Sequence, residues 1–220
     1  MSGAALDITL IESHEAALRV LLYREDGSEA AAYVLFGRAE INEDPWSKHP
    51  RIRLISHEVV PIPPSEVISS SSVHVTWSTQ GFMQLLGVAQ DRKLIPALVH
   101  THPRADAFFS DQDDRNEAEL ARTAFNKQSL GLASLVFGEN GAIAGRLWTS
   151  PTATTDASKI SIVGNKIEIL QRQKHHEKSG ILDRQAALFG NGFNPIVRSL
   201  RVGVIGCGGT GSAVVSLLAR

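Results

Sequence analysis

Cysteine is nearly absent: Cys207 is the single one in 220 residues. No intrachain disulfide can form, which excludes a disulfide-stapled secreted scaffold and makes a reducing, cytoplasmic setting the expectation. Neither sign of charge is in excess, with Lys plus Arg at 22, Asp plus Glu at 23 and a formal net charge of −1. That balance argues against a general nucleic-acid coat, which needs clustered cations. No apolar run approaches the ~20 residues of a membrane span. The N-terminal MSGAALDITL lacks both a basic start and a long apolar stretch, so no signal peptide is expected. Internal repeats and low-complexity tracts are also lacking. What is present is an ordinary globular composition, 43% hydrophobic and 20% charged, with material for a sizeable core. The length is generous for one small domain and short for two full ones.

Periodicity along the chain outlines alternating strands and helices. Residues 5–11 alternate as a strand, and Ser13 is the expected N-cap of a helix over 14–23 with Ala17, Leu18, Leu21 and Leu22 as its apolar stripe. Asp26-Gly27 centres a turn, and residues 29–37 (EAAAYVLFG) read as a buried strand with one acid at its start. A polar loop over 42–50 leads to a strand over 51–61 that is ended by Pro61, Pro63 and Pro64. A strand over 73–77, a helix over 79–91 and the apolar run 94–99 follow, the run ending at His100. A helix opens at Ser110 and extends to about Phe125. Residues 132–137 and 142–148 form an expected hairpin around Gly138-Glu139-Asn140-Gly141. Residues 151–158 read as a loop, and 160–170 as a strand pair turning at Gly164-Asn165. Residues 171–180 (QRQKHHEKSG) contain no apolar side chain and read as a linker. A short helix over 181–190 and a strand over 201–206 come after it.

The segment richest in chemistry is His100-Thr101-His102-Pro103 followed by Ser110-Asp111-Gln112-Asp113. On a strand, residues two apart share a face, so both imidazoles point the same way. Ser110 and Asp113 lie three apart and share one side of a helix start. Two histidines and one carboxylate make three protein ligands with a fourth position open, the layout of a catalytic rather than a structural zinc. Ser-x-x-Asp is equally a helix cap, in which the serine receives the amide three residues on. Capping accounts for Ser110 and Asp113 but gives no reason for the two histidines. His57 and His74 alternate within strands and read as sheet residues, while His175-His176 lie in a charged, solvated stretch.

These residues resemble the JAB/MPN metalloprotease family, the JAMM peptidases, whose signature is an upstream Glu, H-x-H-P, a short loop and S-x-x-D. The resemblance extends over about residues 5–170 by order of elements. It implies an α/β (α+β) fold over residues 1–170, a cytidine-deaminase-like mixed sheet flanked by helices. It further implies Zn2+ held by His100, His102 and Asp113, Glu29 as the acid that handles the water proton, and Ser110 as an aid to the oxyanion. Glu25, Glu40 and Glu58 are the other acids within reach of the pattern; Glu29 is preferred because it directly precedes the small-and-apolar run. Phe108 and Phe109, in the loop between the motifs, either meet an extended substrate tail or anchor the loop. The implied activity is a zinc-dependent isopeptidase or peptidase acting at the C-terminus of a ubiquitin-like protein. Many domains of this type are silent scaffolds, but those typically lack the metal ligands.

A second motif closes the chain. Residues 201–212 read RVGVIGCGGTGS and are followed by the apolar helix start AVVSLLAR. A G-x-G-x-x-G turn between a strand and a helix can bring backbone amides to a phosphate. Together with Asp183-Arg184-Gln185 and Phe189-Gly190, it resembles the opening of a ThiF-type, ubiquitin-activating-enzyme-like adenylation domain. That resemblance implies the first strand and helix of a Rossmann-like domain over 181–220. Gly206, Gly208, Gly209 and Gly211 would face the nucleotide, and Arg184 would reach phosphates. The ribose-binding acid and the rest of the sheet lie outside this sequence, so ATP and Mg2+ are expected only of a full-length protein. A JAB-like region joined to a ThiF-like one resembles bacterial ubiquitin-like conjugation systems, among them those of antiphage defence. The expected partners are the modifier, its conjugates and the enzymes of conjugation, with a homodimer compatible and neither nucleic acid nor membrane involved.

Overall fold

The structure is a computed structural model that describes residues 4–45, 48–70, 75–170, 200 and 202–218. The chain divides into two compact units, Met1–Arg172 and Gln173–Arg220. In the first unit the strands are β1 (Ala5–Ile11), β2 (Ala31–Ile41), β3 (Arg51–Pro61), β4 (Val67–Ser70), β5 (Val75–Trp77), β6 (Ile95–His102), β7 (Leu132–Gly138), β8 (Ile143–Ser150), β9 (Ala153–Val163) and β10 (Ile167–Leu170). Helices α1 (Glu12–Leu22), α2 (Thr79–Arg92) and α3 (Asp111–Asn126) connect them. The order β1-β3-β2-β6-β7-β8-β9-β10 forms one mixed sheet, and β1 also pairs with β9. That pairing closes the sheet into a barrel and covers the edge of β1 that would otherwise expose unpaired backbone, leaving the short β10 as an edge. The expected mixed α/β sheet is present; its closure was not legible in the strand pattern.

Two apolar clusters hold the sheet. Leu6, Ile8 and Leu10 of β1, Val34 and Phe36 of β2, Ala97 and Val99 of β6, and Leu135 and Phe137 of β7 pack with Leu18 and Leu22 of α1. The opposite parity, Tyr33 and Leu35 of β2 and Leu98 of β6, packs with Phe82, Leu85, Leu86 and Ala89 of α2 and Ala121 and Ala124 of α3. Each fully buried side chain of this kind is worth ~1.5–3 kcal/mol relative to exposure. On β6 the parity assigns His100 and His102 to the face of α2 and α3, with Leu98, and Thr101 to the face of α1, with Val99.

Three local expectations need correction. Ser13 does not cap α1: the helix begins at Glu12, and Ile11 occupies the cap position in extended backbone without a side-chain bond. The β1 ladder continues through Ile11, whose amide donates to Ser56 Oγ at 2.9 Å, so strand passes directly into helix. Residues 153–158 are strand rather than loop, because β9 finds an antiparallel partner in β8; their Thr/Ala/Ser composition resembles a loop, and only the ladder reveals the strand. In the second unit the described residues 202–206 form no strand, which requires a neighbour to hydrogen-bond with. The helix expected after the glycine loop is present as α4 (Gly209–Leu218). The linker over 171–180, the helix over 181–190, Arg184, His74 and His175-His176 lie outside the described residues. No helix among the described residues is long and apolar enough to cross a membrane.

A buried polar anchor fixes α3 to the sheet. Glu117 accepts from Ser134 Oγ of β7 at 2.5 Å, and from Arg146 Nε and Trp148 Nε1 of β8, both at 2.8 Å. Glu117 and Arg146 are both buried, and without Glu117 the Ser134 and Trp148 donors lose their acceptor and Arg146 keeps only Asp114, at 2.5 Å, as an ionic partner. Glu117→Ala is expected to destabilise the domain by about 3–5 kcal/mol, measured by urea denaturation of the metal-free protein.

Candidate metal centre

β6 presents His100 and His102 on one face, and the N-terminus of α3 brings Asp113 to them. His100 Nε2 lies 3.2 Å from Asp113 Oδ1, and His102 Nε2 lies 3.7 Å from Asp113 Oδ2. Ligand atoms from all three residues fall within 4.8 Å of one another. The His102 and Asp113 side chains are 11% and 17% exposed, so the group is sheltered but reachable. His100 Nε2 is buried, with Asp113 Oδ1 as its near neighbour, and makes no well-aligned hydrogen bond. A buried polar nitrogen normally has one, and a cation between the three residues would supply it. Two imidazole nitrogens and a carboxylate oxygen suit zinc, so the donor set fits the implied metal.

The cap also orients the candidate ligand. Asp113 Oδ2 accepts from both the Ser110 amide and the Ser110 hydroxyl at 2.7 Å, while Ser110 Oγ accepts from the Asp113 amide at 3.2 Å. This reciprocal capping box orients the carboxylate as well as starting the helix. Ser110 therefore spends its hydroxyl proton on Asp113, and the oxyanion role that the resemblance implies would need that proton redirected. Burial alone would raise the Asp113 carboxyl. The adjacent His100 and the two Ser110 donors outweigh burial and hold it well below the usual carboxylate range. Burial lowers the His102 imidazole below the ordinary 6.5, aided by His100 and opposed by Asp113. A neutral imidazole offers its lone pair to a metal.

Among the four acids considered, Glu29 is the one beside the group. It is 7% exposed, and its Oε1 lies 4.0 Å from His102 Nε2. Register explains this: Ala31, two residues on, pairs with His100 across the β2–β6 ladder. The Asp26-Gly27 turn before it places Gly27 at φ +66°, where glycine is favoured. Glu25 is exposed, Glu40 pairs with Arg38 at 2.6 Å, and Glu58 pairs with Arg92 at 2.5 Å. His57 also lies against Arg92, at 2.7 Å.

Burial raises the Glu29 carboxyl above the ordinary glutamate value of 4.5, with His100 opposing and Asp113 adding. A carboxyl raised in this way binds its proton more tightly in the folded than in the unfolded chain. Its stability contribution is therefore largest below pH 4.5 and is lost as pH rises through the folded value. Metal-free Glu29→Gln is expected to melt above metal-free wild type at pH 7, with the gap closing below pH 4.5, as followed by thermal denaturation in chelator.

The loop between β6 and α3 forms one wall of the site. Phe108 is half-exposed and sets its ring edge-to-face on His102, centroids 5.1 Å apart. Phe109 instead anchors the loop, lying 3.9 Å beneath the Arg146 guanidinium. The loop crosses β7 at Gly138, where an added Cβ would stand 2.3 Å from the Ala107 amide nitrogen, and Glu139 donates its amide to the Ala105 carbonyl at 2.7 Å. Gly138→Ala is expected to cost about 1–3 kcal/mol by overpacking, seen as a lowered melting temperature. Sequence reasoning placed Gly138 only in a hairpin turn; its contact with the loop is non-local. Glu117 was likewise missed, although its spacing of four from Asp113 sets it on the same helical stripe.

In the second unit, Gly206 adopts φ +87°. A Cβ on Gly211 would overlap the Gly206 carbonyl at 1.8 Å, so Gly211 lets α4 approach the loop closely. An added Cβ at Gly208 or Gly209 would meet no atom within 4 Å.

Comparison with known proteins adds one finding: residues 12–150 match a family model described as prokaryotic homologs of the JAB domain. A search of curated proteins finds no match.

Proposed function

The chain belongs to the prokaryotic homologs of the JAB domain, and on that basis we propose that it is a zinc-dependent isopeptidase or peptidase acting at the C-terminus of a ubiquitin-like protein. The observation that carries the reading is the convergence of His100, His102 and Asp113, with Glu29 4.0 Å from His102. A silent scaffold has no need of this constellation. His100, His102 and Asp113 would hold the metal. Zinc, when bound, supplies Lewis acidity toward the scissile carbonyl and toward water. Glu29, raised by burial, is the base that takes a proton from the attacking water and returns it to the leaving amine. Phe108 gives an apolar wall for the tail that leads to the scissile bond, and Ser110 holds Asp113 in position. The glycine loop supports the companion proposal that residues 181–220 begin a ThiF-type adenylation domain, with Gly206, Gly208, Gly209 and Gly211 toward nucleotide in the full-length protein.

The test is to incubate the protein, with zinc and with chelator, with a ubiquitin-like precursor extended past its C-terminal glycine. Intact-mass analysis is expected to show cleavage after that glycine in the zinc sample alone. A protein that retains zinc and leaves every such precursor intact supports the scaffold reading instead.

A further inference from the structure

We propose that Thr101 is a positioning residue for Glu29: from the strand that carries both histidines, its hydroxyl ties down the chain that delivers the acid. The inference rests on the peptidase reading above.

Thr101 stands between His100 and His102, and alternation turns it to the opposite face of β6. It is fully buried, so its hydroxyl must find partners within the protein. The hydroxyl accepts from the Ala30 amide at 3.1 Å and lies 3.3 Å from the Leu22 carbonyl, to which it donates. The Thr101 amide donates to the Ala30 carbonyl, also at 3.1 Å. One residue therefore holds Ala30 by both backbone groups and holds the last residue of α1 as well. The Leu22 carbonyl is among those that a helix end leaves unpaired. Between these two points runs the turn over 23–29, which ends at Glu29.

The β2 ladder starts at Ala31, opposite His100. Glu29 lies before that start, so the regular sheet does not fix it. Ala30, its covalent neighbour, is fixed by Thr101. Removing the hydroxyl would leave the β6 ladder, both histidines, the Ser110–Asp113 box and the Thr101 amide's bond to Ala30 in place, and would loosen the two ends of the 23–29 turn that carries the acid. Thr101 thus couples the metal-bearing strand to the acid-bearing segment through a side chain that touches neither metal nor substrate. A misplacement of ~1 Å at a catalytic group can cost about 100-fold in rate.

Thr101→Val keeps the shape and deletes the hydroxyl; Thr101→Ser keeps the hydroxyl. Both are compared with wild type for zinc content and for steady-state cleavage of the ubiquitin-like precursor. Thr101→Val is expected to retain zinc at wild-type stoichiometry, to leave KM within about twofold, and to lose about tenfold or more in kcat. Thr101→Ser is expected to recover most of kcat. Should the valine variant fail to fold, Thr101→Ala against Thr101→Ser makes the same comparison. The inference is overturned by wild-type kcat in Thr101→Val, by Thr101→Ser as slow as Thr101→Val, or by loss of zinc along with activity, which would assign Thr101 to the histidines. A wild type that binds zinc and cleaves nothing overturns the peptidase reading and this inference with it. A cleaving wild type matched by Thr101→Val overturns the inference alone.

Discussion

Purified His100→Ala protein is expected to carry no zinc and to cleave no precursor. His100 is the most enclosed of the three candidate ligand side chains, at 9% exposed, and its Nε2 faces Asp113 Oδ1 at 3.2 Å without a well-aligned hydrogen bond. That arrangement suits a cation seated between the two residues. Changes merely adjacent to metal ligands weaken binding by about 10–100-fold, so loss of a ligand from a three-residue site should exceed that range. Metal and activity fall together because the two remaining ligands, His102 and Asp113, cannot complete a zinc site. The fold itself should survive, since Asp113 keeps its two bonds from Ser110 and the β6 ladder is backbone. Metal analysis, circular dichroism and the cleavage assay on one preparation check all three points. His57→Ala, at the exposed pair with Arg92, should behave as wild type. Retained zinc in His100→Ala would remove this group as the metal centre.

Glu29→Gln is expected to give the opposite separation, with full zinc content and a kcat reduced by about 100- to 10,000-fold, the usual contribution of a positioned acid–base group. Glutamine preserves size and one carbonyl oxygen but cannot take a proton at neutral pH. Because Glu29 is not among the three clustered ligands, metal affinity should change little. KM should also change little, since the group acts on the proton in flight rather than on the bound tail. The raised carboxyl makes the ionised form costly to the metal-free fold, so the same substitution should both stabilise the protein and silence it. A protein carrying a catalytic group at the expense of stability behaves this way; a structural glutamate would lose stability instead. Full turnover in Glu29→Gln would refute its role as base.

Much of the site was legible because it is built from short-range periodicity. Alternation on a strand placed His100 and His102 together, and three-residue spacing at a helix start placed Ser110 with Asp113. The capping reading and the ligand reading of Ser-x-x-Asp looked like alternatives, yet the bonds that make the cap also hold the Asp113 carboxylate beside the histidines. The upstream acid was different. Glu29 was preferred over Glu25, Glu40 and Glu58 only for the small-and-apolar run that follows it, a local feature that says nothing of distance to the histidines. Only the β2–β6 register, Ala31 opposite His100, brings Glu29 to the histidines and leaves the others on the surface. Errors at the Ser13 cap and over 153–158 share a cause: local composition was overruled by a ladder with a partner distant in sequence.

The sequence by itself determined which residues could bind metal, on which kinds of element, and that these elements alternate strand and helix around an apolar core. Tertiary structure decided the register that sets Glu29 beside the histidines, that the sheet closes through β1 and β9, that Glu117 locks α3 to β7 and β8, and that Thr101 fastens Ala30, the neighbour of Glu29. Side-chain direction within one element follows from backbone geometry and repeats every 2 or 3.6 residues. Pairing between elements depends on register and packing across tens of residues, and no period along the chain records it.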